Sequence, residues 1–214
     1  MWVLKGVAVL FTLAMQAYAS DTQLLYVARE FVKPGAEARY IEIEQDAARI
    51  CRELKCPHPY IGIESLTGPK QCWWFNGFAN DAELKQTGDA YKTNQPVTAA
   101  LAEIVKRKAD LISGSSEMTA KYRSESSRGA RWTVGQGRFL VITATKGDAR
   151  QQGTVFQGDD GTRFVITPAH TREEADAKRA EAGPDANVFA VRPDLSMPAE
   201  AWRVADPEFW RETR

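Results

Sequence analysis

The chain is poor in histidine and cysteine and carries no net charge. Only two histidines occur among 214 residues, which leaves little from which to build a nucleophilic triad. No G-x-S-x-G and no C-x-x-C pair is present, so neither a serine hydrolase nor a compact metal site is expected. The 28 basic residues are matched by 28 acidic ones, and no positive field exists of the kind nonspecific nucleic-acid binding relies on. No nucleic-acid partner is expected. No G-x-G-x-x-G leads a strand into a helix; Gly153, Gly158 and Gly161 read as hairpin glycines. Asp159 and Asp160 have too few oxygen-bearing neighbours for a calcium loop. Neither a metal nor a cofactor is expected.

Long apolar runs are absent except at the start of the chain. Lys5 supplies a short positive segment, Gly6 to Ala14 an apolar one, and Ala17-Tyr18-Ala19 the small-x-small pattern of signal-peptidase cleavage. The run is shorter than the roughly 20 residues a membrane span needs. Residues 1–19 therefore read as a cleaved leader, the mature chain as a soluble periplasmic or secreted protein, and nothing after cleavage is expected to span a membrane. In an oxidising compartment the three cysteines matter. Cys51 falls late in a predicted helix and Cys56 just past its end, close enough to bridge. Cys72 starts a strand at the far end of a hairpin, about 30 Å from Cys56 at about 3.3 Å per residue. A Cys51–Cys56 disulfide and three buried thiols are the alternatives.

Leu24 to Val32 is rich in strand formers and is stopped by Lys33-Pro34-Gly35. From Ala36 to Lys55, Tyr40, Ile43, Ala47, Ile50, Cys51 and Leu54 recur at helical spacing, giving one buried stripe. Tyr60 to Leu66 and Gln71 to Phe78 read as strands joined by a Thr67-Gly68-Pro69-Lys70 turn. The second of these is apolar on both faces, with Cys72, Trp74 and Phe78 on one and Trp73 and Phe75 on the other. Both faces must be covered: one by helices, the other by a second sheet or a partner subunit. Asn80 and Asp81 cap a helix that Gly88 is expected to interrupt, and a longer helix runs from about Pro96 to Ile112. Ser113 to Ser127 reads as a polar surface connection. Beyond it lie a strand at Arg138 to Thr145, a hairpin around Gly158-Asp159-Asp160-Gly161, and a helix capped by Thr171 with Glu174 completing a capping box. A strand at Asn187 to Arg192 and an irregular tail with Trp202, Phe209 and Trp210 follow; the tail aromatics are expected to pack back onto the body.

The stretches LLYVAREFVKPGAEARYIEIEQ (Leu24 to Gln45) and QCWWFNGFANDAEL (Gln71 to Leu84), in this element order, resemble the dimeric α/β-barrel superfamily and its antibiotic-biosynthesis-monooxygenase-like domains. The resemblance covers about residues 24 to 112. It implies an α+β fold with a ferredoxin-like βαββαβ core at residues 20–127. Residues 128–214 would form a smaller appended ββαβ unit with an irregular tail, read as a degenerate second repeat. Two such sheets facing each other would close a barrel, as a homodimer or as an internal pseudo-dimer. The superfamily includes cofactor-independent oxygenases, haem-degrading enzymes and stress proteins, so fold alone is a weak guide to chemistry.

Haem-degrading members need an axial histidine on a helix. His58 lies in a loop between two prolines and His170 at the start of the late helix, so neither matches. The ligand-binding candidates are Trp74 and Asn76, which share a strand face, with Tyr26, Arg29 and Glu64; Tyr26 shares a face with Glu30, and Arg29 lies opposite. No spacing singles out a catalytic base. The Lys106-Arg107-Lys108 run reads as the wet side of the long helix. The resulting expectation is a small apolar or aromatic molecule bound in the barrel interior, or action through a protein partner. A cofactor-independent monooxygenase and a structural or stress-associated homodimer are the alternatives.

Overall fold

Strand β1 (Leu24–Val32) buries Leu25 and Val27 on one face and turns Tyr26, Ala28 and Glu30 to the other, as the period of two requires. The computed structural model that shows this describes residues 22–147 and 152–213; the predicted leader over residues 1–19 lies outside them. Gly35, at φ +85°, turns the chain into helix α1 (Glu37–Glu53), whose stripe of Tyr40, Ile43, Ala47 and Cys51 is buried. Strands β2 (Tyr60–Ser65) and β3 (Gln71–Phe78) form the expected hairpin. Helices α2 (Asp81–Thr93) and α3 (Gln95–Lys108) begin where the Asn80 and Asn94 side chains accept the Glu83 and Val97 amides. The α2 helix runs straight through Gly88, where an interruption was expected; no heavy atom lies within 4 Å of a Cβ placed there.

A short 3-10 turn (Ala109–Leu111) leads into β4 (Ile112–Tyr122). The polar segment expected to be a surface connection is thus largely a strand, paired with β1 along its length. After it come β5 (Phe139–Thr145), β6 (Thr154–Gly158), β7 (Arg163–Ala169), helix α4 (Arg172–Ala182), β8 (Ala186–Met197), helix α5 (Glu200–Ala205) and a 3-10 turn (Phe209–Thr213). At α4 Thr171 caps as its sequence implies, its Oγ1 accepting the Glu174 amide, while Glu174 Oε2 accepts the amide of His170, one residue before the cap. The last strand runs past Pro193, beyond the Arg192 end that the sequence pattern gives it.

Among the described residues, eight strands pair antiparallel into one closed barrel, in the order β1-β3-β2-β8-β5-β7-β6-β4. The first half contributes β4-β1-β3-β2 and the second β8-β5-β7-β6, which is the same permutation twice. The fold is α+β, with two ferredoxin-like halves closed on each other inside one chain. Among the described residues, the second half has no counterpart of α1 between β5 and β6. Pairings β2–β8 and β4–β6 are the two seams. Among the described residues, no helix is long and apolar enough to cross a membrane.

The barrel interior is filled by side chains. Trp73 packs against Phe189 at 4.8 Å and Phe164 at 6.0 Å between ring centroids, and Trp132 against Phe75 at 5.8 Å and Phe156 at 6.3 Å. Trp202 and Trp210 of the tail join the same core, as expected of its aromatics. Gly135, at φ +96°, lets the Trp202 ring rest on backbone: a Cβ there would lie 2.4 Å from the indole.

The β2–β8 seam contains a bulge. Tyr60 pairs with Met197, yet Gly62 pairs with Arg192, so β8 carries extra residues on its side of the ladder. The buried Ser196 hydroxyl repairs the break, accepting the Gly62 amide at 2.9 Å and donating to the Arg192 carbonyl at 2.6 Å. Backbones approach closely here, and a Cβ on Gly62 would stand 2.6 Å from the Leu195 carbonyl oxygen. Gly62→Ala is therefore expected to lower stability by about 1–3 kcal/mol, as overpacking does. Urea unfolding checks this: the midpoint should fall with an unchanged m value.

Candidate functional site

The outward face of β1 and β3 is roofed by α1, α2 and α3, and between sheet and roof lies a cavity of about 480 Å³. Its floor comes from alternate strand positions, Tyr26 and Glu30 on β1 and Trp74 and Asn76 on β3. Glu44 of α1, Tyr91 of α2 and Lys108 of α3 face it from the helices. Helix α2 buries none of its own residues, so it covers the cavity while its outer side stays in water.

One end of the cavity is charged. Lys108 Nζ lies 2.7 Å from Glu44 Oε1 and 2.8 Å from Glu30 Oε1, and Tyr40 donates its hydroxyl to Glu30 Oε2 at 2.5 Å. The ammonium also stands 5.1 Å from the Trp74 ring centroid, within cation–π range. Burial raises the Glu44 pKa, and the attraction of Lys108 only partly opposes it. Burial acts to lower the Lys108 pKa, but Glu44 and Glu30 outweigh it and hold the ammonium above its ordinary value. Two carboxylates thus share one ammonium in a dry setting. Burial also raises the Tyr26 hydroxyl, helped by its hydrogen bond to Glu117, and pushes Tyr91 up to about 12.

Of the residues singled out in the sequence, Tyr26, Trp74 and Asn76 come together at this cavity. Asn76 donates to the Pro59 carbonyl at 3.1 Å, beside His58, which is buried and stacked 4.3 Å from Phe78. Burial lowers the His58 pKa despite Glu83 nearby. Arg29 and Glu64 lie elsewhere. Arg29 points to the opposite sheet face, 4.5 Å over the Trp73 ring. Glu64 is engaged at the β2–β8 seam by Lys70 and Arg192. Aromatic side chains pack the barrel interior, and Trp74 faces the helices rather than that interior.

Cys51 and Cys56 are joined in a disulfide with Cα atoms 4.7 Å apart, and Cys51 lines the cavity. Cys72 is a buried free thiol, its pKa raised chiefly by burial. The Lys106-Arg107-Lys108 run divides: Lys106 and Arg107 are exposed, but Lys108 is buried. Its sequence signal was its place in the apolar stripe with Val97, Leu101 and Ile104. Glu44 and Tyr91 gave no comparable signal. Among the described residues, no group of three or more His, Cys, Asp and Glu is placed to hold a metal ion.

No protein-family model and no curated protein matches the chain. Solved structures do. A candidate monooxygenase from Fusobacterium nucleatum is similar at 9% identity and a TM-score of 0.47, over 83% of this chain and 94% of that one. An anthrone oxidase-like protein is similar at 13% identity and a TM-score of 0.46, over 82% and 93%. A NIPSNAP family protein from Agrobacterium tumefaciens matches 49% of this chain and 90% of its own, at 13% identity and a TM-score of 0.38. These are likenesses of fold at low identity; the doubled strand order itself carries the fold assignment.

Replacing Lys108 by methionine would strand two carboxylates without a counter-ion. The loss is expected to be about 3–5 kcal/mol at neutral pH, as when one partner of a buried pair is removed. The sign with pH follows from Glu44: burial already raises its pKa, and losing Lys108, which opposes that rise, makes the folded variant bind a proton there more readily still. The deficit should therefore grow as pH rises through the carboxylate range and shrink as pH falls. Denaturant unfolding of Lys108→Met at several pH values measures both.

Proposed function

We propose that this is an exported protein that binds a small aromatic or apolar molecule between the first-half sheet and helices α1 to α3. The observation that carries the reading is the 480 Å³ cavity with Trp74 and Asn76 on its floor. Ligand sites are typically concave and largely apolar with a few convergent polar groups, and this one has that character. Trp74, Tyr91 and Phe78 offer aromatic faces, while Asn76, Tyr26 and the Lys108 cluster offer hydrogen bonds. Export rests on the leader-like residues 1–19. The closed barrel completes itself within one chain, so a homodimer is not needed to build the cavity.

A second reading, cofactor-independent oxygenation in the same cavity, is favoured by one feature. Glu44 is a buried carboxylate with a raised pKa beside an ammonium, and such a group suits proton abstraction from a weakly acidic substrate. Either reading uses the same pocket.

Titration with 1-naphthol, followed by calorimetry, tests the binding reading. Saturable binding is expected, with affinity falling at least tenfold in Trp74→Ala and in Asn76→Ala while both variants stay folded. Unchanged affinity in both would remove the site from this cavity. Oxygen uptake with 1,4-naphthohydroquinone that disappears in Glu44→Gln would select the enzymatic reading.

A further inference from the structure

A second cavity, also of about 480 Å³, lies between the C-terminal end of α1, the Cys56–Pro59 loop, the end of β8 and the start of α5. The disulfide stands between the two cavities, with Cys51 lining the first and Cys56 the second. Their linings differ in kind. Three cations, Arg52, Lys55 and Arg203, line the second, and the only carboxylate in its wall is Glu200. Glu200 does not neutralise them: it lies 4.0 Å from Arg203 and is 73% exposed, a separation and setting at which an ion pair contributes little.

The donors are largely unspent. Arg52 gives one N–H, from Nη1, to the Ser196 carbonyl at 3.0 Å, and its other groups have no protein acceptor among the described residues. Arg203 Nε is shielded from solvent and has no hydrogen-bond partner. Lys55 has no ion pair among the described residues. Burial lowers the Arg52 pKa, and Arg203 acts in the same direction, as two like charges sharing a site should. Asp194, which acts the other way on Arg52, is already engaged by Arg192 at 2.7 Å and by Gln45 at 2.8 Å. The rest of the wall is apolar, formed by Pro59, Met197, Pro198 and Ala201.

We propose that this cleft binds a small organic anion, a carboxylate held by Arg52 and Arg203 with Lys55 beside it and a short apolar or aryl group laid on Met197 and Pro198. Guanidinium forks match carboxylates in shape and give charge-assisted hydrogen bonds. The apolar wall distinguishes this ligand from a bare inorganic anion. The site is independent of the cavity between sheet and helices, and each can fail without the other.

Benzoate is the probe, with the Met197 methyl resonance as a local reporter and the Met118 methyl as a distant one. The expected result is a saturable shift at Met197 but not at Met118. Affinity should fall at least tenfold in the Arg52→Gln/Arg203→Gln double variant. Because Arg52 also holds the Ser196 carbonyl, Lys55→Gln/Arg203→Gln serves as a second variant and should weaken binding as well. Leu84→Ala, on the α2 wall of the first cavity, should leave benzoate binding intact, and benzyl alcohol should not shift Met197. Any of three results would overturn the proposal. These are no saturable shift at Met197, an equal loss in an Arg39→Gln/Arg172→Gln control that removes two exposed charges elsewhere, or inorganic phosphate binding as tightly as benzoate.

Discussion

Closure of the sheet on itself is the constraint from which the rest follows. A four-stranded ferredoxin-like half has two edges and a sheet face that its helices do not cover. Leaving both open would expose unpaired backbone groups and a row of aromatic side chains to water. Here the second half supplies both edges, through β2–β8 and β4–β6, and its own inner face covers the first. Trp73 and Phe75 are consequently at 3% and 0% exposure. Burying one such side chain contributes on the order of 2–3 kcal/mol, and the interior contains many. The seam at Gly62 matters out of proportion to its size, because the bulged ladder there leaves no room for a side chain.

A filled interior leaves the larger free space outside the barrel. With aromatic rings occupying the space between the two sheets, room for a ligand remains on the opposite face, where helices rather than strands supply the second wall. Helix–sheet interfaces can be left incomplete more readily than a barrel core, because a helix touches the sheet along one stripe only. The α1 stripe is buried and α3 adds Val97, Ile104 and Lys108, whereas α2 contributes coverage without burial. A dry charged cluster survives at the inner end because Tyr40 and Lys108 satisfy Glu30 and Glu44, although two carboxylates against one ammonium leave the charge unbalanced.

Much of this was legible in the residues. The both-faces-apolar strand Gln71 to Phe78 required two covering layers, and it has them. Alternation placed Trp74 with Asn76 on one face of their strand and Tyr26 and Arg29 on opposite faces of theirs, as the structure does; that Tyr26 lies on the same side of the sheet as Trp74 and Asn76 comes from the β1–β3 register. Three features were not legible, each for a physical reason. Near its start strand β4 carries Ser113-Gly114-Ser115-Ser116-Glu117, a run with little intrinsic preference for extended structure; its strand character there comes from the β1 ladder, a tertiary effect that overrides propensity. The β8 extension past Pro193 depends on a bulge and on Ser196 replacing a ladder partner, which no local pattern announces. Lys108 carried two contradictory signals, a basic run and an apolar stripe, and the stripe prevailed because Glu30 and Glu44 approach it from elements distant in sequence. The same distance hid the location of the cavity, since strand alternation says which residues share a face but not which face is the filled one.

Helix α2 shows how such a roof is held without a core of its own. Its N-terminus is closed by Asn80 and by Glu83, which accepts the Ala79 amide at 2.7 Å, and its exposed side carries a Lys85–Asp89 pair at 2.5 Å. These are local interactions, worth about 1 kcal/mol for a good cap and a few tenths for the pair. They keep the segment helical whether or not it sits on the sheet. What ties it down is the half-buried faces of Leu84 and Tyr91 over the cavity, the approach of Glu83 to His58 at 3.6 Å and the Asn94 junction with α3. An element stabilised from within and weakly attached lies at the low end of a protein's range of local opening energies. The aromatic interior and the two seams contain no residue of α2, so closure of the barrel does not depend on it.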